Sequence, residues 1–283
     1  MGYVSRYFWA GILLASLIAP STQAGGLYLY ELGTPDVGTA AAGWSARAQD
    51  AATVFTNPAG MTRLEKSELL VGVQPLYLHA EFSPDSNTTT SGSDGEASTW
   101  LPAGGLYYVH NLLPKPKIGV SAVGYFGLGL EYENDWVGRY YVQEIKLQAL
   151  GVQPALAYRV TDWLSLGAGV VALYGVLDEK VAVNNIGPNQ PDGKLKIEDS
   201  DWTYQANLGI LVEPRKGTRF GLTYLSEGDL KFKDEPDFSN LGPGLEAILR
   251  AKGLLDAEIK IEFTMPQALM LSAYHELDDR WAI

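Results

Sequence analysis

Trp202–Val212 reads WTYQANLGILV. Trp202, Tyr204, Ala206, Leu208, Ile210 and Val212 fall on one side of a period-two chain, and Thr203, Gln205, Asn207, Gly209 and Leu211 on the other. Successive side chains of a strand point to opposite faces, so the stretch predicts a β-strand with one apolar and one mostly polar face. The pattern recurs along the chain. Lys117–Leu130 puts Ile118, Val120, Ala122, Gly124, Phe126, Leu128 and Leu130 on one face. In Asp162–Val183, Leu164, Leu166, Ala168, Val170, Ala172, Tyr174 and Val176 share a face. In Glu258–Tyr274, Ile259, Ile261, Phe263, Met265, Leu269, Leu271 and Ala273 do, with Gln267 interrupting them. The pattern predicts strands over residues 67–82, 99–110, 117–130, 141–160, 162–183, 201–213, 218–233 and 258–274, with a ninth opening at Trp281.

These strands are long. A soluble strand has about 5–6 residues, whereas a tilted membrane-spanning strand needs about 9–11. The connections alternate short and long. Asn111–Pro116, Thr161–Trp163, Pro214–Gly217 and Glu276–Asp279 are short; Ser83–Ser98, Glu131–Tyr140, Asn184–Ser200 and Asp234–Asp256 are long. Short turns on one side and long loops on the other are the pattern of an outer-membrane barrel. Ser86–Ser98 is a polar tract and reads as a loop tip. Leu245, Ile248, Leu249 and Leu254 recur at helical spacing, which predicts a short loop helix, either ordinary or carrying an exposed apolar patch.

Composition agrees. Met1–Ala24 reads as a secretory signal, with Arg6 its only charge, an apolar core GILLASLIA at Gly11–Ala19, Pro20 as the break, and small residues before the cut. That core is shorter than the roughly 20 residues of a spanning helix. Cysteine is absent from the 283 residues, so no disulfide or Cys–zinc framework exists. A net charge of −12 argues against nucleic acid as a partner. Gly is abundant at 31, and Trp, Tyr and Phe number 7, 16 and 8. Export, aromatics and the absence of an apolar helix leave a secreted soluble β protein or an outer-membrane barrel, and strand length favours the barrel.

Residues 25–65 do not alternate. Ala40–Ala52 (AAAGWSARAQDAA) is rich in small side chains, and VFTNPAGMTRL follows at Val54–Leu64. Asn57 reads as a helix N-cap and Pro58 as the first helical residue, since Asn accepts an orphan N–H and Pro has none to offer. Either this is a capped turn before the barrel, or it ends a plug inside the lumen, where small residues suit confinement.

The segment GLYLYELGTPDVGTAAAGWSARAQDAATVFTNPAGMTRL resembles the N-terminal hatch of outer-membrane hydrophobic-compound transporters of the FadL type, which include long-chain fatty acid and aromatic hydrocarbon channels. Asn57, Pro58 and Ala59 match that family's hatch motif. Tyr158–Gly175, Tyr224–Glu235 and Pro266–Ile283 resemble its turn-plus-strand segments in the same order. The resemblance implies an all-β fold, a transmembrane antiparallel β-barrel of fourteen strands of which about eight to nine are present here, with the hatch (25–65) in the lumen and the barrel from residue 66 onward. The chain is then expected to be truncated at its C-terminus.

The resemblance also implies transport without catalysis in the outer membrane of a Gram-negative bacterium. A hydrophobic ligand is held in an apolar pocket and released sideways into outer-membrane lipid by a monomer that needs no cofactor or metal. Leu27, Tyr28, Leu29, Tyr30 and Tyr125 are the expected pocket residues. Gly124, Gly127 and Gly129 are candidates for the kink that opens the wall, or they relieve crowding against the hatch. A porin for polar solutes is the alternative. Enzyme motifs fail: His275-Glu276 opens like HExxH but meets Asp279, and Gly167–Ala172 mimics a dinucleotide fingerprint inside a strand.

Overall fold

The computed structural model describes residues 32–111, 113–187, 190–278 and 280–283. The signal segment and the expected pocket residues Leu27, Tyr28, Leu29 and Tyr30 lie outside the described residues. The strands are β1 Glu68–Phe82, β2 Gly95–His110, β3 Pro116–Glu131, β4 Glu144–Arg159, β5 Leu164–Val183, β6 Gly193–Arg215, β7 Thr218–Leu225, β8 Gly228–Asp234, β9 Asp237–Ser239, β10 Ile259–Met265 and β11 Ala268–His275. The wall runs β1-β2-β3-β4-β5-β6-β7-β11, every pair antiparallel, while β8 and β10 form a separate ribbon. After β11, Trp281–Ile283 turns back, and the His275 and Ile283 amides each bond the other's carbonyl, at 2.7 and 2.9 Å.

The outer face of the wall is apolar. Val152, Leu156, Leu166, Val170, Leu208 and Ile210 are all exposed on it. Burying such a side chain is worth about 1.5–3 kcal/mol, so a band of them calls for lipid rather than water. Tyr77 against Trp100 (5.1 Å between rings) and Tyr174 against Trp202 (4.9 Å) rim the band toward the long loops. Exposed Tyr158, Trp163 and Phe220 rim it toward the short turns. These are the two aromatic girdles of a membrane barrel.

Two of the expected strands are each two strands. Residues 218–233 divide into β7 and β8 at Ser226–Glu227, and 258–274 divide into β10 and β11 at Pro266–Gln267. The face reverses there. Leu269 and Leu271 point outward, whereas Met265, of the same parity, is fully buried. Leu230 and Phe232 of β8 are likewise buried, so the ribbon turns its apolar side into the lumen and joins the core of Leu173, Leu177 and Tyr125. Its link to β6 runs through carboxylates. The Lys231 and Lys233 amides donate to Asp201 and Asp199 at 2.7 and 2.6 Å, and the Glu198 amide donates to Asp234 at 2.7 Å. Pro266 lacks an amide hydrogen, which favours the break at that point.

The single face expected for Lys117–Leu130 also needs correction. The β3–β4 register shifts between Gly124 and Phe126, leaving Tyr125 as a bulge. Tyr125 and Phe126 are both buried, and Leu128 packs against the core, although Ile118 points outward.

Inside the wall sit two 3-10 turns, Pro35–Thr39 and Pro58–Arg63, and a single helical turn α1 at Thr53–Thr56. Such short elements leave many carbonyls unpaired. Wall side chains supply the donors. Gln153 Nε2 reaches the Val54 carbonyl (2.6 Å), Thr223 Oγ1 the Thr56 carbonyl (3.1 Å), and Arg219 the Ala46 and Arg47 carbonyls (both 3.0 Å). Arg159 bonds the Thr62 carbonyl, and Arg63 pairs with Glu213. Wall glycines give the plug backbone room: a Cβ on Gly167 would overlap Ala59, one on Gly209 would overlap the Asn57 side chain, and one on Gly221 would overlap Ser45. The polar inward face that alternation revealed in β6 therefore serves as hydrogen-bonding surface for a plug.

On the long-loop side, Trp136 stacks on Tyr132 at 4.1 Å, and Arg139 ties Asp192 (2.7 Å) to the Ser91 carbonyl (2.7 Å). The expected loop helix is α2, Pro243–Ala251. Ile248 on it and Leu254 just beyond it are exposed.

Candidate ligand pocket and wall opening

Asn57 is buried and caps the second 3-10 turn: its Oδ1 accepts from the Ala59 amide at 3.1 Å. Its Nδ2 donates to the Ser45 carbonyl at 2.6 Å and to the Ile210 carbonyl at 3.1 Å. One side chain thus shapes the turn, ties it to the rest of the plug and fastens it to β6. Pro58 is the first residue of the turn, and Pro58 and Ala59 lie buried against β5 and β6. Asp36 pairs with Arg47 at 2.9 Å, yet burial pushes its carboxyl above the ordinary range despite that cation.

Above the plug lies an inner cavity of about 90 Å³, lined by Leu32, Trp44, Phe55, Thr56, Tyr125, Asn207, Thr223, Leu225, Ala268 and Met270. The bulge aims Tyr125 into it, and the ring packs edge-on to Phe55 at 5.4 Å. Gly151 makes space for that ring, since a Cβ there would strike it. Asn207 and Thr223 reach the cavity through the polar face of the wall, and sequence reasoning did not single them out. Their signal was visible: mid-strand polar residues on the inward side of a barrel.

A second cavity, of about 210 Å³, opens where β2 and β3 part. Their ladder runs only from Gly105↔Val123 to His110↔Ile118. β2 continues to pair with β1 up to Gly95, and β3 with β4 up to Glu131. The upper halves of β2 and β3 therefore face each other without a ladder. Buried Leu101 and Ala149 line this cavity together with outward-facing Leu150 and Tyr174, so it reaches through the wall. Gly124 and Gly127 border it. A Cβ at either would meet nothing within 4 Å, so crowding against the hatch does not explain these two glycines. At Gly129 a Cβ would sit 3.3 Å from Leu101, a wall residue and not a hatch residue.

Residues 15–283 match the family described as outer membrane protein transport protein (OMPP1/FadL/TodX). The chain belongs to that family. It is an outer-membrane β-barrel protein of a Gram-negative bacterium. Among its relatives, the long-chain fatty acid transport protein of Escherichia coli O6:H1 is 25% identical over 299 residues, a match covering 95% of this chain and 66% of that protein. Outer membrane protein P1 of Haemophilus influenzae is 27% identical, covering 94% and 66%. A FadL homologue from Pseudomonas aeruginosa has the same fold, with a TM-score of 0.71 at 20% identity over 91% of this chain and 68% of that one. The toluene transporter TodX of Pseudomonas putida follows at 0.61 and 17%, over 84% and 65%. The chain spans about two thirds of the length of the curated relatives it matches.

Proposed function

We propose that the full-length protein carries hydrophobic small molecules, long-chain fatty acids or monoaromatic hydrocarbons, across the outer membrane. The ligand is held in the inner cavity and leaves sideways through the gap between β2 and β3 into the bilayer. The observation that carries this reading is the interrupted β2–β3 ladder beside an apolar cavity that penetrates the wall. An apolar solute gains roughly 0.8 kcal/mol per buried CH₂, and lateral exit spares it a return to water. The bulge at Tyr125 stands between the two cavities, with Tyr125 at the inner one and Phe126 at the outer. Gly124 and Gly127 serve the opening, and Gly129 extends it. Leu27, Tyr28, Leu29 and Tyr30 contribute to the pocket, as the nearby Leu32 lines it. Asn57, Pro58 and Ala59 hold the plug that forms its floor. The barrel works as a monomer.

The test uses the full-length protein in planar bilayers and in a ligand-binding assay. A barrel nearly closed to ions that binds laurate or toluene is expected. Large stable conductance with no affinity for either would make it a porin for polar solutes.

A further inference from the structure

A third cavity, of about 500 Å³, lies on the short-turn side of the plug, which faces the periplasm. Residues 62–65 at the end of the second 3-10 turn, the β2–β3 turn with Lys117, and Arg159 at the end of β4 form its walls. Two of its cations have no counter-ion. Lys117 is 3% exposed, and its ammonium donates to neutral acceptors, Asn111 Oδ1 and the Leu113 carbonyl (3.0 Å for the second). Arg159 spends one N–H on the Thr62 carbonyl. No Asp or Glu among the described residues pairs with either. The two lie close enough for Arg159 to repel the Lys117 charge. Charges withdrawn from water are normally paired, because the loss of hydration costs several kcal/mol per ion. Neighbouring cations without a partner, in a chain of net charge −12, mark a place for an anion.

Arg159 can reach that anion. A guanidinium carries five N–H donors, and the bond to Thr62 is the one this side chain makes among the described residues. Arg159 is half-buried, yet none of its nitrogens is both shut away from solvent and unpaired. Its free donors therefore meet solvent, and this cavity is the space they border. Lys117 adds a fixed charge from behind. The surroundings select the kind of anion. Arg63 is neutralised by Glu213, and Glu65 lines the cavity, so two cations and one carboxylate leave one positive charge, which matches a monoanion. An Arg fork suits a carboxylate, which takes two parallel bonds. Leu64, Leu113 and Pro114 supply apolar wall beside it, and Leu113 is 57% exposed.

We infer that Arg159 and Lys117 form a periplasmic site for an apolar monocarboxylate, its head on Arg159 and its tail along Leu113 and Pro114. The site shares no lining residue with the inner cavity and goes beyond the transport reading above. The test photolabels the full-length protein with a dodecanoate carrying a diazirine near its methyl end and maps the labelled residues. Label is expected on residues 113–117, displaced by laurate and about tenfold less effectively by dodecanol or inorganic phosphate. Arg159→Met should weaken labelling there about tenfold. That variant also frees the Thr62 carbonyl, so the wild-type competition decides the matter by itself if the variant does not assemble. Absence of label on 113–117 would overturn the inference. So would dodecanol competing as well as laurate, which would leave only an apolar surface, or phosphate doing so, which would leave a site for any anion. Label on Phe55 or Met270 reports the inner cavity separately, so its loss alone counts against the pocket reading and not against this site.

Discussion

Asn57→Ala tests the plug directly. The substitution removes the acceptor for the Ala59 amide and the donor for the Ser45 and Ile210 carbonyls. Loss of an Asn cap costs about 1 kcal/mol. Leaving the Ser45 carbonyl buried and unpaired adds about 1–3 kcal/mol. Ile210 belongs to β6, whose own ladder can compensate, so its carbonyl is not counted. The local opening of Pro58–Leu64 should then become easier by about 2–4 kcal/mol, or roughly 30- to 1,000-fold at 1.4 kcal/mol per decade. Hydrogen exchange of that segment in detergent-solubilised full-length protein reads this number. Barrel assembly should persist, because the wall ladders are untouched, while uptake of hydrophobic substrate falls. Asn57→Asp separates the two roles. It keeps the cap, since Asp caps as well as Asn, but loses both donated bonds and sets a charge against two carbonyls. It should exchange at least as fast as Asn57→Ala. Wild-type exchange in Asn57→Asp would show that capping alone matters, and the anchoring argument would be wrong.

Gly209→Ala and Gly167→Ala should expose the plug to protease, because each new methyl overlaps plug backbone or Asn57. Gly124→Ala, which meets nothing, should leave protease resistance at the wild-type level. Deleting Tyr125 makes the β3–β4 pairings Gly124↔Leu150 and Phe126↔Ala149 consecutive; the strand straightens, and substrate uptake should drop while the protein still reaches the outer membrane. Arg219→Met leaves the Ala46 and Arg47 carbonyls without donors and removes a cation stacked 3.9 Å over Tyr274. It should destabilise the folded protein by about 2–5 kcal/mol, read as a shift in the urea midpoint.

Wall strands could be read from residue order because one face meets lipid and the other does not, and that contrast repeats every second residue. WTYQANLGILV shows it cleanly: Trp202, Tyr204, Leu208 and Ile210 are exposed and Thr203, Gln205 and Asn207 buried. Alternation carries no phase across a defect, however. At Tyr125 and at Pro266–Gln267 the apolar side changes face, and both flips depend on pairing with distant strands. Asn57 and Pro58 were legible as a cap and first turn because capping is local chemistry. Which carbonyls the Asn57 amide would reach was not, since Ile210 lies 153 residues away. The pocket's polar side followed the same logic. Asn207 could be placed on the inward face from sequence, but its partners there, Gln153 and the Phe55 carbonyl, could not be named.

Closing the gap between β2 and β3 tests the central claim most directly. The 283 residues contain no cysteine, so Ala103→Cys and Gly127→Cys, which border the outer cavity from opposite strands, add one pair within them for a short bis-maleimide bridge in the full-length protein. Bridged protein should still bind toluene or laurate but deliver neither into the membrane, while each single-cysteine variant treated alike transports normally. Uptake unchanged after complete bridging would contradict lateral release.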